Sequence, residues 1–134
     1  MLKLLAGLLA AVTLFFLLGV GSLIKSSFDW KLWPTIRRAR REVKKLARQR
    51  CPNAKVFSFG ATHIDPRHLA IWITTNTDEQ RDRLRQDSVL HQQLRDALLQ
   101  AGYPPAAVPL VGFAFESQET VDRDFGGNWY YATK

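Results

Sequence analysis

The sequence predicts an α+β protein: an N-terminal transmembrane helix followed by a small α-β-β-α-β-β domain, with two helices packed on one face of a mainly antiparallel sheet. Three observations predict it. Residues 4–24 form a stretch of 21 residues without a charge. Residues 35–50 repeat apolar side chains at three- and four-residue steps, the period of a helix with one buried stripe. From Lys55 onward, short runs alternate between two faces and are separated by Pro, Gly and Asp turns, the mark of half-buried strands. A length of 134 residues leaves room for one small domain and an appendage, which excludes a multidomain enzyme. With 46% hydrophobic and 23% charged residues, a disordered or collagen-like chain is excluded as well.

The charge is uneven. Residues 1–51 carry eleven Lys/Arg against Asp29 and Glu42, a net of +9, whereas residues 52–134 carry eight against ten acids, a net of −2. The organisation read from this is a membrane anchor over residues 1–25, a basic amphipathic juxtamembrane helix over 26–51, and a small α+β domain over 52–134. At ~1.5 Å per residue the apolar stretch matches a hydrocarbon core of ~30 Å. Gly19 and Gly21 lack the GxxxG spacing that brings two such helices together. The cations that follow, from Lys25 to Arg50, bias that side toward the cytoplasm, so the expected topology is N-terminus out and domain in. The competing reading is a signal peptide cleaved near Gly21, which would release an exported cationic domain.

Phe28, Trp30 and Trp33 follow the apolar stretch, and amphipathic indoles prefer the headgroup level. Pro34 suits the first turn of a helix, where its missing N–H costs nothing. Beyond it, Ile36, Ala39, Val43, Leu46 and Ala47 share one stripe, leaving the cations on the flanks and back. Trp30, Trp33, Arg37, Arg38, Arg41, Lys44, Lys45 and Arg48 are therefore the expected membrane-interface residues. Each cation near an anionic leaflet contributes ~1 kcal/mol, so anionic lipid headgroups are the expected partner. Nucleic acid is disfavoured, because the following domain is net acidic and carries no zinc-finger, homeodomain or RNP signature.

In the domain, residues 55–61 alternate Phe57, Phe59 and Ala61 against Val56, Ser58 and Gly60, and residues 69–75 place Leu69, Ile71 and Ile73 together. These two runs are expected to pair as an antiparallel hairpin. Thr77 with Gln80 forms a capping box for a helix that ends at Gly102, with Asp87-Ser88 positioned to break it in two. Residues 108–116 read as a third strand, with Val111, Phe113 and Phe115 on one side. Gly126-Gly127-Asn128 is expected to turn into a short fourth strand over residues 128–132.

Little here points to catalysis. Cys51 is the single cysteine, so one chain offers neither a disulfide nor a thiolate metal site. His63, Asp65 and His68 are ligand types for zinc or nickel and would serve a membrane-surface hydrolase or metal-dependent enzyme. Their placement around a proline turn, with no nucleophile or oxyanion pocket marked, reads better as a solvated loop. Glu116, Glu119, Asp122 and Asp124 echo a calcium loop, but its closing acid falls on Thr133. No cofactor and no metal are expected. Trp72, Asp122, Arg123, Asp124, Trp129 and Tyr130 set charges beside large rings, the residue types that anchor interfaces, and are the candidate partner-binding residues. The function expected is a non-enzymatic, single-pass, membrane-anchored protein whose cytoplasmic-side domain binds another protein, in an adaptor, inhibitor or immunity-type role.

Overall fold

A computed structural model describes residues 31–134. The elements run α1 (Trp33–Arg50), β1 (Lys55–Phe59), β2 (Ala70–Thr75), α2 (Asp78–Gln86), α3 (Ser88–Gln100), β3 (Gly112–Ser117), α4 (Gln118–Phe125) and α5 (Trp129–Ala132). Single 3-10 turns sit at Pro66–His68 and Val108–Leu110. The fold is thus α+β, with five helices and a three-stranded mixed sheet among the described residues. The apolar stretch 4–24 and Trp30, on which the membrane-span expectation rests, lie outside the described residues. Among those described, no helix is long and apolar enough to cross a membrane.

Helix α1 carries Pro34 in its first turn and buries Thr35, Ile36, Ala39, Val43 and Ala47. The apolar members of this stripe join one core with Ile71 and Ile73 of β2, Leu84 of α2, Leu90, Leu94 and Leu98 of α3, and Phe115 of β3. Arg50, at the end of α1, donates to Asp87 at 2.6 Å and to Gln93 at 2.8 Å, fastening it to the start of α3. Asp87 does two jobs, because it also caps α3 by accepting the Leu90 N–H at 2.9 Å. The capping box of Thr77 and Gln80 starts α2 as expected. The break at Asp87 is realised too, and it lets Leu84 and Leu90 reach the same core from two helix axes.

Strands β1 and β2 form the expected antiparallel pair, with Phe57 opposite Trp72 and Val56 opposite Ile73. Side chains opposite one another share a face. Val56, Ile71, Ile73, Phe113 and Phe115 therefore face the helices, and Phe57, Phe59, Trp72 and Ala114 face the other way.

Two expectations are corrected. Strand β3 pairs with β2 in parallel, Ile71 opposite Phe113, so the sheet is mixed rather than mainly antiparallel. The cause is the connection through α2 and α3, which carries the chain back to the end where β2 began, as parallel neighbours require. Residues 128–132 are not a fourth strand; they form the single-turn helix α5, capped by the Asn128 side chain, which accepts the Tyr130 N–H at 3.0 Å. The acidic run before them is itself helix α4. Ser117 caps its start, and Gly126, at φ +59°, closes its end with the Gly127 N–H donating to the Val121 carbonyl at 2.9 Å.

At the end of β1 the backbone approaches the β2 side very closely. Gly60 has φ +133°, and a Cβ there would lie 2.0 Å from the His68 carbonyl oxygen. Gly60→Ala is expected to destabilise the fold by about 1–3 kcal/mol, measured as a lower urea midpoint with an unchanged slope.

Candidate functional site

Burial of the α1 stripe turns Arg37, Arg38, Arg41, Lys44, Lys45 and Arg48 outward, and all six are exposed. Trp33, 48% exposed, stands at the start of the same helix. Two grooves flank this ridge. One, of about 640 Å³, lies toward the end of α3 and is lined by Arg38, Arg41, Glu42, Lys44, Lys45, Arg48, Gln100 and Ala101. Three of its cations have acceptors: Lys45 pairs with Glu42 at 3.2 Å, Arg38 donates to the Ala101 carbonyl at 3.1 Å, and Arg48 to that of Ala54 at 3.0 Å. The other lies toward β1, is about 210 Å³, and is lined by Arg37, Arg40, Arg41, Lys44 and Val56.

The second surface is the outer face of the sheet. Trp72 stacks on Phe57 at 6.0 Å and 6°, and on Phe59 at 6.1 Å and 23°. Trp129 meets Phe57 edge-on at 6.3 Å, its indole N–H donating to the Gln118 side chain at 2.9 Å. Helix α5 thereby covers one end of the aromatic row. Phe59 at the other end remains 46% exposed. Tyr130, 67% exposed, lies beside Tyr131, and Lys134 sits 4.9 Å and 5.2 Å from the two ring centres. Trp72 is thus half-buried in an aromatic stack rather than standing alone on its face.

The predicted partner-binding residues divide. Asp122, Arg123 and Asp124 are all exposed on α4, and Arg123 also joins a polar lattice that holds the helix in place. The Asp78 carboxylate, in the first turn of α2, accepts from the Ser117 hydroxyl, from the Thr120 hydroxyl at 2.6 Å and from Arg123 at 3.0 Å. Arg81 completes the lattice, donating to Glu116 at 2.9 Å and Thr120 at 2.8 Å. The Ser117 and Thr120 hydroxyls, with Arg123, hold the Asp78 carboxyl well below the usual carboxylate range. Sequence reasoning missed Asp78 as the organising residue. Its partners lie about forty residues away, and the one local signal was an acid in the first turn of a helix.

The His63, Asp65, His68 loop does not converge on a ligand. Both histidines are exposed, and Asp65 is engaged by its neighbour: it accepts the Arg67 N–H at 2.8 Å and the Arg67 guanidinium at 2.5 Å. That Arg67 contact lowers the Asp65 carboxyl to about 2. Beneath the loop the Tyr103 hydroxyl donates to the Pro66 carbonyl. Among the described residues no three His, Cys, Asp or Glu side chains are gathered to hold a metal ion. Cys51 is buried in the core.

Compared with known proteins, the chain matches no protein-family model, no curated protein and no solved structure. The geometry of its own surfaces therefore carries the functional reading.

Two outcomes follow from the contacts above. Because the folded Asp78 carboxyl titrates below its unfolded value, its stabilisation is complete above about pH 4 and fades as pH falls through the depressed value. The stability gap between the wild type and Asp78→Asn, read by urea unfolding, is expected to be widest at neutral pH and to shrink in acid. Trp129→Ala removes the edge contact to Phe57 and is expected to cost about 1–2 kcal/mol, with a weakened near-UV circular dichroism signal from the aromatic row.

Proposed function

We propose that this chain is a non-enzymatic, single-pass, membrane-anchored protein that presents a small α+β domain to a protein partner on the cytoplasmic side. The observation that carries the reading is the opposition of its two distinctive surfaces. The exposed cations of α1 lie on the far side of the helix layer, and the aromatic row of Phe57, Phe59 and Trp72 lies on the outer face of the sheet. A domain resting its basic ridge on an anionic leaflet directs the aromatic face away from the bilayer. The uncharged residues 4–24 precede α1 closely enough to keep it at the headgroups, where Trp33 and the six exposed cations are suited to lie. Aromatic side chains that are only partly covered are the kind of surface that a partner buries with gain. The engaged Asp65 carboxylate and the unconverged histidines favour this reading over a hydrolase.

Protease accessibility of an epitope tag placed after Lys134, in intact and in permeabilised cells, tests it. The expected result is a full-length, membrane-bound product whose tag is cut only after permeabilisation. A tag cut in intact cells, or a product shortened by about 21 residues, would overturn it in favour of an exported domain.

A further inference from the structure

We propose that the cleft between α1 and the β1 edge is a binding site for the phosphomonoester headgroup of a membrane lipid, an assignment that rests on the membrane-anchored reading above. The cations of α1 do not form one uniform cloud. Arg38, Lys45, Arg48 and Arg50 each donate to an acceptor within the chain: the Ala101 carbonyl, Glu42, the Ala54 carbonyl and Asp87. Arg37, Arg40, Arg41 and Lys44 enter no ion pair with the acids of the described residues, and these four line the β1 cleft together, Arg41 and Lys44 standing on the crest it shares with the opposite groove.

Their spacing explains the convergence. Positions 37, 40, 41 and 44 fall three, four and seven apart, so the side chains stand above one another on one flank of the helix. Arg40 is the innermost, half-buried toward the sheet, and Val56 of β1 closes the floor. Glu42, the one acid on α1, faces the opposite groove and leaves this one without a negative charge.

Three guanidinium forks and an ammonium around a cleft of about 210 Å³ suit a small, multiply charged oxyanion better than a flat sheet of single charges. A phosphomonoester carries about −1.5 to −2 at pH 7 and offers three acceptor oxygens. Headgroups joined through a phosphodiester offer fewer free oxygens and less charge. The source of the ligand follows from the chain. Eight residues separate residue 24 from Trp33, a reach of at most about 28 Å, so a span there keeps the cleft within reach of the lipid headgroups.

The test uses the full-length chain in neutral detergent, titrated with dioctanoyl phosphatidic acid, dioctanoyl phosphatidylcholine or inorganic phosphate, and followed by thermophoresis. Two charge-matched variants are compared: Arg40→Gln/Lys44→Gln in the cleft, and Arg38→Gln/Lys45→Gln in the opposite groove. Circular dichroism verifies that each is folded, and Arg40→Lys/Lys44→Arg keeps the charge if the neutral pair fails to fold. The expected result is saturable binding of phosphatidic acid, weakened about ten-fold or more in the cleft variant and less than about three-fold in the other. Equal weakening by both pairs would overturn the cleft and leave only diffuse attraction to anionic lipid. Indifference of the wild type to phosphatidic acid would overturn the phosphomonoester site, while the membrane-anchored reading stands or falls with the protease test above. Inorganic phosphate binding as tightly as the lipid would reassign the cleft to a soluble phosphate.

Discussion

The rotation of α1 about its own axis is the constraint on which both surfaces of this molecule depend. Ile36, Ala39, Val43 and Ala47 must enter the core, and once they do the helix has no freedom left to choose which side chains meet water. The apolar stripe decides which positions face water, and most of those positions hold Arg or Lys. Burying one stripe thus places six cations on the opposite side, and their mutual repulsion is offset by the apolar area removed from water. Arg50 then marks the end of this arrangement, since it turns back to Asp87 and Gln93 instead of joining the ridge.

The sheet repeats the same logic in another form. Helices α1, α2 and α3 supply apolar side chains to one face only, so the alternation of β1 and β2 leaves Phe57, Phe59 and Trp72 on the uncovered side. The parallel entry of β3 then brings Ser117 and Glu116 to the N-terminal end of α2. There the Asp78 carboxylate meets two hydroxyls and two guanidinium groups. A carboxylate at the positive end of a helix, satisfied from a second helix, welds α2 to α4. That weld is what carries α5 over the aromatic row.

Much of the fold was legible in the sequence. The α1 stripe, the β1–β2 hairpin, the Thr77 cap and the break at Asp87 are all local patterns, each readable within a window of a few residues. The direction of β3 was not read correctly, although a long helical connection between two strands is a recognisable sign of parallel pairing. Aromatic residues after a Gly-Gly turn have strand character, so residues 128–132 read as a strand, and only the Asn128 cap, together with Gly126 ending a helix just before, marks a helical turn. The basic ridge was visible by periodicity alone. Which ridge cations are drawn to acceptors among the described residues was not, because the carbonyls of Ala54 and Ala101 come from other parts of the chain.

Strand β1 is an edge of the sheet among the described residues, and its outer backbone groups have no strand beside them. Such an edge ordinarily invites the same edge of another copy, which would join two sheets into one. Here the approach would bring two sets of Arg37, Arg40, Arg41 and Lys44 against one another across a narrow gap. The charges beside the edge thus oppose such pairing.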